Sequence, residues 1–166
     1  DNEEVGSATN RGAGATFLKN TLTRISRSLG YSYDETQAMI ARSFMISADN
    51  GHALHPNHGE YADPVNAPRL NEGIVIKFNA QQKYATDGFS AAFFRDLCRC
   101  AKVPTQTFTN RSDIPGGSTL GNISNTKVSM PTVDIGLPQL AMHSSYETAG
   151  TKDTAYLVQA CTAFFE

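Results

Sequence analysis

Carboxylates and imidazoles are the side chains of this sequence best equipped for chemistry, and they gather in a few places. Glu3 and Glu4 stand side by side near the start, and Asp49 closes the apolar run Phe44-Met45-Ile46-Ser47-Ala48. His52 and His55 follow within a few residues, and His143 ends the segment Leu137-Pro138-Gln139-Leu140-Ala141-Met142. Carboxylate and imidazole are donors that suit zinc, and a catalytic zinc keeps one position open for water. Two neighbouring carboxylates can divide the labour: one binds metal while the other, left unligated, takes the proton of the water that attacks a carbonyl. Each residue taken singly has a plainer role, since a Glu-Glu pair is most often solvated surface and a single histidine is most often a hydrogen-bonded or half-buried one. His52 and His55 are three apart, unlike the helical zinc-protease pair, and Pro56 follows them, so contact with a substrate suits them better than a shared zinc. By residue type alone, Lys77 and Lys83 are solvated charges and Tyr84 is a rim aromatic.

Other chemistries fail on spacing. Gly116 and Gly121 have Asn122 where a P-loop needs Lys, and Gly12-Ala13-Gly14 has Phe17 in place of the third glycine of a dinucleotide fingerprint. Gly116-Gly117-Ser118-Thr119-Leu120 has Leu120 in place of the last glycine of a nucleophile elbow. Cys98 and Cys161 fall inside apolar helical patterns, which is the wrong setting for a reactive thiolate.

The elements that must position these groups follow from periodicity. Phe17, Leu18, Leu22, Ile25 and Leu29 fall at helical spacing before Gly30, predicting a helix over 13–29. Ser32-Tyr33-Asp34-Glu35 has the form of a capping box, so a second helix should run to about Arg42. Phe44 to Ala48 reads as a short strand, and residues 50–71, rich in His and Pro with no period, read as a long loop of the kind that usually carries function. Gly73 to Phe78 is a β-branched strand, and Asp87 caps a helix expected to bury Phe89, Phe93, Leu97 and Ala101. A strand at 105–109, a turn at Pro115-Gly116-Gly117-Ser118 opening a short helix, a strand at 132–135 and a terminal helix at 152–165 complete the pattern. Such alternation predicts an α/β fold, a three-layer α/β/α sandwich with a mixed, largely parallel sheet, whose strand ends bring distant residues together.

Composition narrows the setting. The 166 residues suit one domain with a buried core. Fourteen Lys and Arg against sixteen Asp and Glu give a net charge of −2, with no basic run, which disfavours nucleic acid. No apolar stretch approaches the roughly 20 residues of a membrane span. Three cysteines, spaced as neither a disulfide set nor a C-x-x-C pair, suit a reducing cytoplasm. The opening Asp1-Asn2-Glu3-Glu4, with neither an initiator Met nor a signal-peptide pattern, reads as the interior of a longer protein.

Together these segments resemble the M18 metallopeptidases, the family that includes aspartyl aminopeptidase. The resemblance is carried, in family order, by Asn2-Glu3-Glu4-Val5-Gly6-Ser7, Ser47-Ala48-Asp49-Asn50-Gly51-His52-Ala53-Leu54-His55-Pro56-Asn57, and Ile76-Lys77-Phe78-Asn79 with Gln82-Lys83-Tyr84-Ala85. Gly117-Ser118-Thr119-Leu120-Gly121 and Pro138-Gln139-Leu140-Ala141-Met142-His143-Ser144 complete it, so it covers nearly the whole chain. It implies a dinuclear aminopeptidase, usually holding two zinc ions and often assembling into large homo-oligomers, that removes N-terminal and often acidic residues from peptides. Glu3 matches the general base and Glu4 its adjacent metal ligand, paired with His143. Asp49 matches a ligand of the other ion, and His52, Lys77 and Tyr84 match positions that contact the bound amino acid.

The family's catalytic domain also has an upstream metal-binding histidine and, after an inserted assembly domain, a bridging aspartate; neither lies among these residues. The chain is therefore expected to be the C-terminal portion of a catalytic domain, incomplete at its N-terminal side. Glu4 and His143 are left for one ion and Asp49 for the other, fewer than the three protein ligands a catalytic zinc keeps. This piece alone should bind metal weakly and turn over poorly. The alternatives are a folded non-catalytic module or assembly subunit, and a related dinuclear zinc hydrolase with another acyl substrate.

Overall fold

Two strands buried along nearly their whole length, Ile74–Phe78 and Thr132–Gly136, lie at the centre of the molecule. A computed structural model describes residues 5–166, so Glu3 and Glu4, expected as base and ligand, lie outside the described residues. In chain order the elements are α1 (Phe17–Ser28), α2 (Tyr33–Ala41), β1 (Met45–Ala48), β2 (Gly51–His52), a 3-10 turn at Gly59–Tyr61, β3 (Ile74–Phe78) and α3 (Gly88–Cys100). There follow β4 (Thr105–Thr109), α4 (Leu120–Asn125), β5 (Thr132–Gly136), β6 (Pro138–Leu140), β7 (Thr148–Ala149) and α5 (Thr151–Phe165).

The larger sheet has the order β1-β5-β3-β4, with β1 parallel to β5, β3 parallel to β4, and β3 antiparallel to β5. It is mixed and largely parallel, as the alternation of elements predicts. Successive strand residues point to opposite faces. Ile74 and Ile76 of β3 share one face with Val133 and Ile135 of β5, and α3 and α5 close over it with Ala91, Phe94, Cys98 and Ala160. On the other face Val75 packs with Tyr84 and Phe108, and α4 lies against β1 and β5. Helices thus cover both sides of the sheet.

A second sheet grows from the first. β1 passes into β2 through Asp49 and Asn50, and β5 passes into β6 through Leu137, so the same parallel pair continues in the order β2-β6-β7. The Asn50 side chain bridges the change of sheet, its amide N–H donating to Gln139 Oε1 (2.8 Å) and its Oδ1 accepting from the Leu137 N–H (3.2 Å).

Both predicted helix caps form. Ser32 Oγ accepts from the Glu35 N–H (3.3 Å) while the Glu35 carboxylate accepts from the Ser32 N–H (2.8 Å), and Asp87 and Ser90 make the equivalent pair. Three expectations are corrected. The first helix spans Phe17–Ser28 rather than 13–29, and Phe17, Ile25 and Leu29 of its apolar series are exposed. The segment 50–71 is not all loop, since Gly51 and His52 pair with β6. On α3 the buried residues are Ser90, Ala91, Phe94 and Cys98, whereas Phe89 and Phe93 are 64% and 41% exposed. Ser90, Ala91, Phe94 and Cys98 form the face turned to the sheet, which leaves Phe89 and Phe93 to its side; Phe93 lies against Phe44 with ring centroids 4.5 Å apart.

Burial, then the nearby Cys161, pushes the Cys98 thiol up to about 12, while Cys100 on the same helix is exposed. Only a thiolate alkylates readily. Iodoacetamide at pH 8 should therefore label Cys100 in the native protein and reach Cys98 only after denaturation, as followed by peptide mass spectrometry. Equal native labelling would mean that the seam between α3 and the sheet is open.

Candidate active site at the junction of the two sheets

A cleft of about 560 Å³ opens where the chain changes sheets. Asp49, His52, Lys77, Tyr84 and His143 all line it, together with residues 116–119. The chain has four histidines, and all of them, His52, His55, His58 and His143, face this one space.

Asp49 is the first residue beyond β1, and its N–H still donates to Ile135 O (3.0 Å). Its carbonyl passes directly over Gly136, where any Cβ would overlap it. This crossing turns the Asp49 carboxylate toward the end of β3. There Lys77 Nζ lies 3.4 Å from Asp49 Oδ2 and donates to Asn50 O at 2.9 Å. Lys77 is 2% exposed, so it is no solvated charge. A buried ammonium needs compensation, and it has the carboxylate, the carbonyl and the face of Tyr84, whose ring centroid is 5.6 Å away.

Tyr84, 6% exposed, is likewise not a rim aromatic. Its hydroxyl donates to Asn110 Oδ1 (3.3 Å), which also accepts from Asn79 Nδ2 (3.3 Å). Burial holds the phenol above its ordinary range, with the charges of Asp49 and Asp134 adding to the effect and the Asn110 hydrogen bond opposing it. Tyr84 is therefore neutral, and with its proton given to Asn110 its oxygen can still accept a hydrogen bond. Lys83, half-buried, donates to Gly116 O (2.8 Å) and so pins the glycine loop.

The His52 imidazole titrates below its usual 6.5, first because the surrounding protein desolvates it and then because Lys77 and His143 repel its proton. At neutral pH it is uncharged. His143 reaches the cleft from a strained turn: its own φ is +65° and that of Ala141 is +54°, a left-handed backbone that costs a non-glycine residue of order 1 kcal/mol. The Glu147 carboxylate accepts from the His143 N–H (2.6 Å) and holds that turn.

Among the described residues, no group of three His, Cys, Asp or Glu gathers closely enough to hold a metal ion. Asp49 and His143 share the cleft and are donors of the right chemical type, and the expected third carboxylate, Glu4, lies outside the described residues. Asn110 and Arg111, which also line the cleft, are not among the expected site residues. Their signal in the sequence is position alone, immediately beyond the strand ending at Thr109.

The family described as Aminopeptidase I zinc metalloprotease (M18) matches residues 1–165. The chain belongs to the M18 family. It is 49% identical over 165 residues to a probable M18 family aminopeptidase 2 of Clostridium acetobutylicum, covering 99% of this chain and 38% of that protein. Among solved structures, one of a complex of Ape4 and Nbr1 matches 98% of this chain and 31% of its own, with a TM-score of 0.94 and 40% identity. A mApe1 dodecamer from S. cerevesiae matches 99% of this chain and 36% of its own, with a TM-score of 0.85 and 29% identity. The chain thus spans well under half the length of these M18 relatives.

Two outcomes follow for the whole protein. Gly136→Ala forces a methyl group into the Asp49 carbonyl, an overpacking that should cost about 1–3 kcal/mol or more in urea unfolding; an unchanged midpoint would show that the crossing is not tight. An NMR titration of the metal-free protein should place His52 below 6.5, and Lys77→Met should move it upward by removing one repelling charge. In the unfolded chain His52 takes up its proton at higher pH than in the native one, so its contribution to stability falls as pH drops from 6.5 toward the native midpoint.

Proposed function

We propose that this chain is the C-terminal portion of the catalytic domain of an M18 metallo-aminopeptidase that removes N-terminal, preferentially acidic, residues from peptides. The observation that carries this reading is convergence. Asp49 with His52, Lys77, Tyr84 and His143 come from four separate segments of a chain of this family, and all line one cleft at the strand ends.

Two divalent ions, zinc by family, would be held by Glu4 with His143 and by Asp49, with further ligands from the rest of the protein. When bound, such ions lower the pKa of water and neutralise developing negative charge on the carbonyl oxygen. The remaining work belongs to side chains. Glu3 accepts the proton of the attacking water and returns it to the leaving amine. Lys77 supplies positive charge at the end of the cleft, neutral His52 can donate a hydrogen bond from its ring N–H, and the Tyr84 oxygen can accept one. These groups suit a substrate with a free N-terminus and a carboxylate side chain. The walls at Lys77 and Tyr84 are buried, so electrostatic contacts made there are stronger than in water.

The 166 residues alone supply too few protein ligands for either ion, so we assign turnover to the whole protein. The mApe1 relative assembles as a dodecamer, and a homo-oligomer is our reading for this protein too. The free thiols Cys98, Cys100 and Cys161 suit the cytoplasm. No helix among the described residues is long and apolar enough to cross a membrane.

In the whole protein, Glu3→Gln should keep its metal content yet lose activity by about 10²- to 10⁴-fold, the usual contribution of a positioned base. Metal analysis and hydrolysis of aminoacyl chromogenic substrates check this together, and retained turnover removes Glu3 from the role of base. Within the same substrate panel acidic residues should be cleaved fastest; equal rates on neutral residues would remove the acidic preference.

A further inference from the structure

The cleft wall rests on a residue that does not itself reach the cleft. Asp134, in the middle of β5, is 0% exposed. It points to the face of β5 opposite Val133 and Ile135, toward α4. Among the described residues it makes no ion pair. A carboxylate removed from water without a cation is costly unless hydrogen-bond donors surround it, and here both oxygens are used. Oδ1 accepts from the Thr119 hydroxyl (2.8 Å), and Oδ2 accepts from the Ala85 N–H.

The backbone of the same residue is engaged as well. The antiparallel pairing of β3 with β5 covers Val75 with Gly136 and Ile76 with Ile135. At Asp134 the Thr86 side chain is seated on the strand: the Asp134 N–H donates to Thr86 Oγ1 (2.8 Å), and the Thr86 hydroxyl lies 3.4 Å from Asp134 O. On the α4 side the carboxylate lies so close to Gly121 that a Cβ there would come within 2.5 Å of Asp134 Oδ1. One side chain thereby fixes two segments of the wall, the one that begins with Tyr84 and the one that ends in Thr119 to Gly121.

We propose that Asp134 is a positioning residue for substrate binding, holding Tyr84 and the loop around Thr119 in register with each other. The inference rests on the aminopeptidase reading above, because it assigns those two wall segments to the substrate side of the cleft. The carboxylate is suited to the role because both its oxygens only accept. An amide would turn an NH₂ toward one of the two donors, and an apolar residue would leave the Ala85 N–H without a partner in the interior.

The test uses the whole protein with its metal content measured. Asp134→Asn and Thr119→Val should each raise KM for an aminoacyl substrate by about tenfold, the factor expected for one hydrogen bond to a charged group. The value of kcat should change far less, with the metal content unaltered. Thr119→Ser, which keeps the hydroxyl, should restore KM. A fall in kcat in proportion to lost folded protein, with KM unchanged, would make Asp134 merely structural and overturn the proposal. Should Asp134→Asn fail to fold, the Thr119 pair alone decides. Amide exchange at Ala85 separates this inference from the functional reading: it should accelerate in Asp134→Asn whatever the protein hydrolyses. Normal exchange there overturns the anchoring and leaves the functional reading standing, whereas a wild-type protein inert toward every aminoacyl substrate overturns the functional reading and with it the substrate role of Asp134.

Discussion

The close passage of the Asp49 carbonyl over Gly136 is the constraint on which the cleft depends. β1 and β5 run parallel, and two parallel strands that end together leave their last residues on the same rim. Both chains then move on into the second sheet while staying paired, with Gly51 N–H donating to Leu137 O (3.0 Å) and Ala53 N–H to Gln139 O (2.9 Å). A pair that changes sheet while keeping its partner must bend at one place. The bend is possible because Gly136 has no side chain to stand between the strands and because Asn50 satisfies polar groups from both segments with a single amide. His52 and the segment leading to His143 lie just beyond this bend, on β2 and after β6, so its geometry sets where both imidazoles enter the cleft.

Charge in the cleft is arranged by burial as much as by pairing. Lys77 shares a strand face with Val75, which is core, and so its ammonium is carried into the sheet rather than out to water. Its companions are the Asp49 carboxylate, the Asn50 carbonyl and the ring of Tyr84. Burial lowers the His52 imidazole, and the same ammonium adds to the effect by repelling its proton. One buried cation therefore orders an acid, a base and an aromatic ring around itself. In a low-dielectric setting each of these interactions is stronger than its surface counterpart.

Much of this was legible in the residues themselves. Capping pairs such as Ser32 with Glu35, and β-branched runs such as Ile74 to Ile76, announce local structure because the physics that forms them is local. The family pattern pointed to Asp49, His52, Lys77, Tyr84 and His143, and the fold brings them to one cleft. What stayed hidden depends on distant partners. β2 and β6 are two and three residues long, too short for periodicity to detect, and they exist because they pair with each other. The exposed Phe89 and Phe93 misled because an apolar stripe gives a helix's period, whereas the face that meets the sheet is that of Ser90, Ala91, Phe94 and Cys98. Lys77 and Tyr84 read as surface residues when taken one at a time; the strand ladder around β3 places Lys77 inside, and packing against Val75 and Phe108 places Tyr84 there.

The polar bridges between segments divide along the same line. Asn110 collects Tyr84 and Asn79, Lys83 holds Gly116, and the Asn50 amide joins the two sheets. Each connects segments far apart in sequence, and each lies at the cleft rather than in the hydrophobic seam under α3 and α5. Had stability alone been required, apolar residues could have filled these places at little cost, since a buried hydrogen bond contributes only about 1 kcal/mol net. Polar bridges add direction: they fix how one loop stands relative to another, which non-directional apolar packing does less sharply. One face of the sheet is accordingly built for cohesion, and the other for holding a few side chains in fixed relation around a space that a substrate can enter.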